Sequence, residues 1–357
     1  MTESTAAEPF AHVAAQESAV RILTHALERD RVAHAYLFEG PSGVGKERAA
    51  LTLAAALLCP EARRIGNDCT CHTCERIRAG KHPDVRVIRP RDEGDRNLQV
   101  EFIRSEILPF TKFAPFEAQV ACLIFPEADV SFPIQHAGAA NALLKTLEEP
   151  RARVTFLLLS ERPDRLLPTI RSRCQRVCFR PLPAATLAQI LTERGISEAV
   201  RPHAIALSQG RADRALALAE GDTLQRLVDL VLRIDAAVAA AQPGDLLDLA
   251  RELADADDLD ALLAALALFY RDVAQVALQV HVGPVGLSFE SQEALLATRA
   301  AQLGATHAAE RVAAISATQE AIERNANTET ALDSLLLGFA TGNNEPLKLV
   351  VKQPKRA

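Results

Sequence analysis

The sequence predicts two architectures in one chain. An α/β domain, with a parallel sheet covered by helices on both faces, is followed by a region built only of helices. Three observations carry this. Up to about residue 180, short apolar runs alternate with stretches of helical periodicity, the pattern of strands buried on both faces and joined by crossover helices. After Pro181 no strand-like run is convincing. Aromatic residues make up only 4% of the chain, with no Trp, whereas Ala and Leu are abundant, which favours helices. At 357 residues the chain has room for two to three domains.

In order, residues 14–29 place Val20, Leu23 and Leu27 at helical spacing. Ala35-Tyr36-Leu37-Phe38 reads as a short buried strand, and Arg48–Leu58 as the helix after it. Residues 59–78 form a Cys-rich insertion. Val85–Arg89 reads as a strand, and Gln99–Phe110 as a helix with Phe102, Ile103 and Ile107 on one side. Val120–Phe125 and Val154–Ser160 are apolar strands, Arg176–Phe179 a last one, and Asn141–Glu149 a helix stopped by Pro150. Residues 184–220 read as three short helices with breaks at Gly195 and near Gly210. Residues 223–342 read as longer Ala/Leu helices with breaks at Pro243 and around 281–286, and 343–357 as a polar, basic tail.

Composition excludes some functions. Apolar residues are 48% and charged residues 24%, a globular balance rather than a disordered one. The longest apolar runs are interrupted by Arg, Glu or Pro, so no membrane span is expected. The N-terminal MTESTAAEPFAH has neither a basic region nor an apolar one, so a cytoplasmic location is expected. The net charge of −6 argues against a chain that wraps nucleic acid by itself.

Gly40-Pro41-Ser42-Gly43-Val44-Gly45-Lys46 fits G-x-x-x-x-G-K between a strand and a helix. Gly40, Gly43 and Gly45 let backbone N–H groups close round phosphates, and Lys46 would reach the outer phosphates of ATP or ADP. Two departures stand out. Glu47 occupies the position of the Mg²⁺-binding Ser or Thr. The later strand ends in Pro126-Glu127, so Pro126 replaces a metal-binding Asp, while Glu127 remains at the water-activating position. Phosphoryl transfer needs the metal to neutralise developing charge. Little or no ATP hydrolysis by this chain is therefore expected, with nucleotide bound weakly, held without turnover, or not at all.

Four of the seven Cys, namely Cys59, Cys69, Cys71 and Cys74, lie within sixteen residues. In a reducing compartment this points to a metal before a disulfide. Four ligands leave no open position, so a structural Zn²⁺ is expected. The third ligand is left between Cys71 and His72, with Cys71 favoured, and a degenerate site that folds without metal is the alternative. Cys122 and Cys178 are expected in the core. His34 and His82 are expected to be structural. Ser160 ends its strand, and Lys145, on the exposed side of its helix, is a weaker candidate for a phosphate contact.

Several stretches carry a family resemblance. These are His34–Lys46, Lys81-His82-Pro83-Asp84, NALLKTLEEP at 141–150, TIRSRC at 169–174, and Arg324-Asn325-Ala326-Asn327 with the Leu-rich helix after it. Together they resemble the AAA+ clamp-loader subunits of bacterial DNA polymerase III, over nearly the whole chain. The resemblance implies an AAA+ domain at 1–180 carrying a zinc insertion at 59–78, a helical lid at 181–222, a helical collar at 223–342 and a flexible tail. The two defective nucleotide motifs, and Asp213 where motor subunits place a sensor Arg, point to the delta-prime type. The resemblance also implies that Arg173 is an arginine finger for a neighbouring subunit's ATP site. Partners would be gamma/tau motor subunits and delta, with the sliding clamp and primed DNA reached through the complex. The alternative is an active motor ATPase of gamma/tau type, kept open by Lys46 and Glu127. No residues for polymerase chemistry are present.

Overall fold

The computed structural model describes residues 9–90, 98–134, 137–148, 153–256, 258–279, 289–323 and 326–343. Glu149, Pro150, Arg324, Asn325, the break at 281–286 and nearly all of the tail lie outside them. The chain divides into two compact units. The first comprises Met1–Thr186 with Arg211–Asp213, and the second Leu187–Gly210 with Arg214–Ala357.

The first unit is built on five parallel strands: β1 Ala35–Glu39, β2 Val85–Val87, β3 Ala121–Phe125, β4 Val154–Ser160 and β5 Gln175–Cys178. They lie in the order β2-β3-β4-β1-β5. Every residue of β1, β3 and β4 is buried, which is why their sequences are continuous apolar runs rather than alternating ones. Register is set by pairs such as Ala35 with Phe156 and Leu123 with Phe156. Leu37, Leu123, Phe125, Phe156 and Leu158 pack with Ile103, Ile107, Leu143 and Leu147 from covering helices in one core. Each such side chain contributes about 1.5–3 kcal/mol by burial.

Helices fall close to where periodicity places them: Glu17–Glu28, Lys46–Leu58, residues 100–112 and Ala137–Glu148. The helix at 100–112 contains a π-helical segment, Ile103–Ile107, ahead of Pro109. Between Lys46–Leu58 and β2 the chain forms two helices that periodicity did not reveal, Pro60–Ile65 and His72–Arg78. Both are too short to show an apolar stripe, and Cys residues occupy their starts.

The second unit takes in most of Ala184–Glu193 and Ala212–Ala219, and all of Arg201–Ser208 and of Thr223–Ala240, Pro243–Ala254, Leu259–Leu278, Glu293–Glu323 and Thr328–Thr341. Pro243 begins its helix, where the missing N–H costs nothing. Gly304, at φ 68°, breaks the helical backbone inside Glu293–Glu323. Among the described residues one helix, Leu259–Leu278, is long and apolar enough to cross a membrane, and 61% of that stretch is buried inside the protein. Its apolar length matches a core position: Leu262, Leu266, Phe269, Tyr270 and Val273 are all buried.

Because all five strands run the same way, the loops after β1, β3 and β4 emerge on one edge of the sheet. In open α/β sheets that carboxyl edge is where ligands bind.

Candidate functional site

The loop after β1 closes as its motif requires. Gly40 donates its N–H to Ser160 O at 3.1 Å, tying it to the end of β4. It has φ +149°, and a Cβ there would lie 2.3 Å from Phe179 O, so only glycine fits. Gly45 precedes the helix in a left-handed conformation, φ 99°. Gln16 fastens the loop from outside. Its side-chain amide donates to Val44 O at 3.3 Å and Arg180 O at 2.7 Å, and its carbonyl accepts from Arg180 N at 2.9 Å. Gln16 is a feature that sequence reasoning missed; nothing in its local pattern marks it.

A cavity of about 680 Å³ opens beside the loop. It brings together Gly43, Gly45, Lys46, Glu47, Pro126 and Glu127, the residues singled out from the sequence. It also collects Asp129 from the segment after β3, Arg89 from the one after β2, Glu161, Arg162 and Arg165 from the one after β4, and Asp213 from the helix Ala212–Ala219. All but Asp213 share one signal, a position shortly after a strand. Ser160 is fully buried, and its hydroxyl accepts from Arg162 N at 3.1 Å instead of facing the cavity.

Several charges in this cavity are already engaged. Lys46 is 7% exposed and donates to the carbonyls of Gly40 and Pro41. Burial lowers its pKa, partly offset by Glu161, Asp129 and Asp213 nearby. Glu47 is ion-paired with Arg89. Asp213 stands against Gly43: a Cβ on Gly43 would lie 2.0 Å from the Asp213 Oδ1, and Ala212 N donates to Gly43 O at 3.1 Å. Pro126 offers no ligand atom, so the usual pair of metal-holding side chains is absent from these two positions.

Away from the cavity, Arg173 is half-buried. Its Nε donates to Glu148 Oε1 at 2.8 Å, and its Nη2 joins the same carboxylate. Its Nη1 donates to Thr169 O at 2.9 Å and Ser172 Oγ at 3.3 Å. The neighbouring arginines separate by role. Arg162 and Arg165 line the phosphate-loop cavity, Arg171 donates to Pro163 O at 3.3 Å, and Arg176 makes a two-point pair with Glu39, both bonds 2.7 Å. Lys145 is exposed on its helix.

Cys59, Cys69, Cys71 and Cys74 converge, with all four Sγ atoms within 4.8 Å of one another. Cys59 Sγ lies 3.9 Å from Cys69 Sγ and 3.6 Å from Cys71 Sγ. A tetrahedral ion with bonds of roughly 2.3 Å needs sulfurs roughly 3.8 Å apart, so the cluster suits a metal ion. His72 is exposed at the start of its helix and lies outside the sulfur group. A hydrogen bond from the backbone N–H of Cys74 lowers the Cys71 thiol to about 7, whereas burial raises that of Cys74.

The module is braced from the sheet. Arg76 grips Glu117 through bonds of 2.7 and 3.1 Å. Asp84, 2% exposed, accepts the backbone N–H groups of Phe116, Glu117 and Ala118 at 2.5, 2.8 and 2.9 Å. His82 is buried and its Nδ1 accepts from Asp84 N at 3.2 Å, the structural role expected of it. His34 is exposed; its backbone O takes the N–H of Phe156 at 2.8 Å. Cys122 is buried as expected, but Cys178 is exposed. It lies on β5, at the sheet's edge, where only Val177 points inward.

These features define an α/β domain with a parallel sheet, a phosphate-loop motif altered at its metal-holding positions, and an inserted cysteine module. Residues 15–183 match the family described as DNA polymerase III, delta subunit. The delta-prime subunit of DNA polymerase III from Bacillus subtilis is 37% identical over 182 residues, covering 51% of this chain and 53% of that protein. The delta-prime subunit from Pseudomonas aeruginosa is 40% identical over 160 residues, covering 44% and 47%. The Bacillus subtilis tau subunit is 34% identical over 270 residues, covering 71% and 45%. The chain thus spans about half the length of the curated relatives it matches. Among solved structures, a Thermotoga maritima protein related to the DNA polymerase III gamma subunit matches 91% of this chain and 99% of its own. Its identity is 19% and its TM-score 0.41.

Proposed function

We propose that this chain is a delta-prime-type clamp-loader subunit that does not itself drive ATP turnover and acts on a neighbour's ATP site through Arg173. The observation that carries the reading is the state of the phosphate-loop cavity. Lys46 is turned onto loop carbonyls, Glu47 is paired with Arg89, and Pro126 stands where a metal ligand is needed. Each of these removes a contribution to charge stabilisation on a transferring phosphoryl group. Nucleotide, if taken up at Gly40, Gly43, Gly45 and Lys46, would be held rather than turned over. In this reading Arg173 supplies in trans the guanidinium charge that a phosphoryl transition state needs.

The same reading makes the lid 181–222, the collar 223–342, gamma/tau and delta as partners, contact with the sliding clamp and primed DNA through the complex, and a cytoplasmic location part of the proposal. It places a structural Zn²⁺ on Cys59, Cys69, Cys71 and Cys74. A bound ion would fix the module's fold and leave no ligand position for chemistry.

The test is ATP turnover of a loader reconstituted with motor subunits, delta, clamp and primed DNA. Arg173→Ala should cut turnover by a factor on the order of 10³, as loss of an arginine finger does, with assembly intact. The isolated chain should be silent. Turnover by the isolated chain, together with no effect of Arg173→Ala in the complex, would instead make it a motor of gamma/tau type using Lys46 and Glu127. Metal analysis of the purified chain should return about one Zn per chain, as a single four-ligand site requires.

A further inference from the structure

We propose that Glu148 masks Arg173, in the free chain and in the resting loader alike, by competing with an outside anion for the guanidinium. This rests on the reading of Arg173 as a residue that acts in trans. The geometry is specific. Glu148 ends the helix Ala137–Glu148, and Arg173 follows the short helix Pro168–Arg171. The carboxylate receives both Nε and Nη2 of the guanidinium on a single oxygen, while Nη1 is committed to Thr169 O and Ser172 Oγ. Both terminal nitrogens, which a phosphate group would have to meet, are therefore directed at the protein's own chain.

Geometry and charge make the same demand. A guanidinium stabilises a transferring phosphoryl group because its charge is uncompensated there and its forked donors match the oxygens. An Arg paired to a carboxylate offers neither the full charge nor the free fork. For Arg173 to work, at least its bonds to Glu148 must open. The pair is well placed for that, because both side chains are partly exposed, 32% for Arg173 and 46% for Glu148. An exposed pair is held weakly and is screened by salt. It can restrain Arg173 in the free subunit and still lose it to a polyphosphate, which carries more negative charge than one carboxylate.

The test uses the assembled loader, with ATP turnover measured before clamp and DNA are added. Glu148→Gln and Glu148→Ala should raise this resting turnover about two- to five-fold, the range an exposed ion pair supports. Glu148→Asp, which keeps the charge, should stay within that range of wild type and below the other two. The gap between Glu148→Gln and wild type should close as salt is raised. Lower or unchanged turnover in Glu148→Gln, with Arg173→Ala still inactivating the complex, overturns the mask and leaves the trans reading standing. If Arg173→Ala has no effect, the trans reading itself fails. A second measurement needs only the full chain. In nitrogen-15 side-chain spectra, the Arg173 Nε–H should exchange more slowly with solvent in wild type than in Glu148→Gln. Equal exchange in the two would also overturn the proposal.

Discussion

At the residue scale, single buried acceptors and thiols make the sharpest expectations. Asp84 neutralises three backbone N–H groups on the segment leading into β3. Bonds to a charged group contribute more than neutral ones, so Asp84→Ala should cost about 3–5 kcal/mol, read as a lower urea midpoint. Asp84→Asn, which keeps an acceptor oxygen, should cost less. The thiols divide just as clearly. Burial pushes Cys122 and Cys174 up to about 12, so both stay protonated and enclosed at neutral pH. Cys178 lies exposed at the sheet edge. Iodoacetamide at pH 7.5 should therefore label Cys178 and spare Cys122 and Cys174, as peptide mass spectrometry would show. Labelling of Cys122 in the folded chain would contradict its position in β3.

At the element scale, the second unit is joined through a polar chain across four helices. Arg311, 6% exposed, donates to Tyr270 Oη at 2.9 Å and to Phe339 O at 2.8 Å. Tyr270 Oη donates to Asp235 at 3.3 Å, and Arg299 reaches the same carboxylate at 2.7 Å. The guanidinium of Arg311 also lies 4.9 Å from the Tyr270 ring centre and 4.8 Å from that of Phe339. Arg311→Met keeps the stem but strands Phe339 O, and should destabilise this unit by about 2–4 kcal/mol. Thermal melting would show it as a lower midpoint. Elements also show what was legible beforehand. β1, β3 and β4 stand out because a strand buried on both faces must be apolar throughout. The phosphate loop stands out because glycines are needed where Cβ atoms would collide, as at Gly40. Pro60–Ile65 and His72–Arg78 do not stand out, being short helices anchored by sulfur rather than by an apolar stripe. Cys178 reads as a core residue only until β5 is known to be the edge strand. Gln16, Arg89 and Glu161 belong to the site through topology, and no local motif announces them.

At the scale of the whole molecule, pH dependence follows from two imidazoles, His82 buried and His12 half-buried. Burial, more than neighbouring Arg48, lowers the pKa of His12, which shares a hydrogen bond of 2.8 Å with Thr52 Oγ1. Burial, and next Arg76, lowers that of His82. The folded chain binds these two protons less readily than the unfolded chain, where imidazoles titrate near 6.5. Their contribution to stability is therefore intact above about pH 6.5 and is lost as pH falls through the lowered folded values. Melting temperature should decline between pH 7.5 and 5, and His82→Gln should make the decline shallower. An equal slope in that variant would remove His82 as a cause.

The cysteine module has a consequence for chain entropy. Residues 59–84 join the helix Lys46–Leu58 to β2, a long connection for a βαβ crossover, where such loops run about 2–6 residues. β2 is an edge strand of three residues, with little pairing to resist slack in the segment feeding it. Gathering Cys59 and Cys74 at one point turns most of that excursion into a closed side loop. What remains between Cys74 and β2 is one short helix and the His82-Asp84 turn. The four sulfurs thus shorten the path the chain must order before the sheet edge forms, and Arg76 carries that stiffness across to Glu117. On the proposal that the four sulfurs hold an ion, stripping it should accordingly appear first as faster amide exchange in β2 and at 116–118.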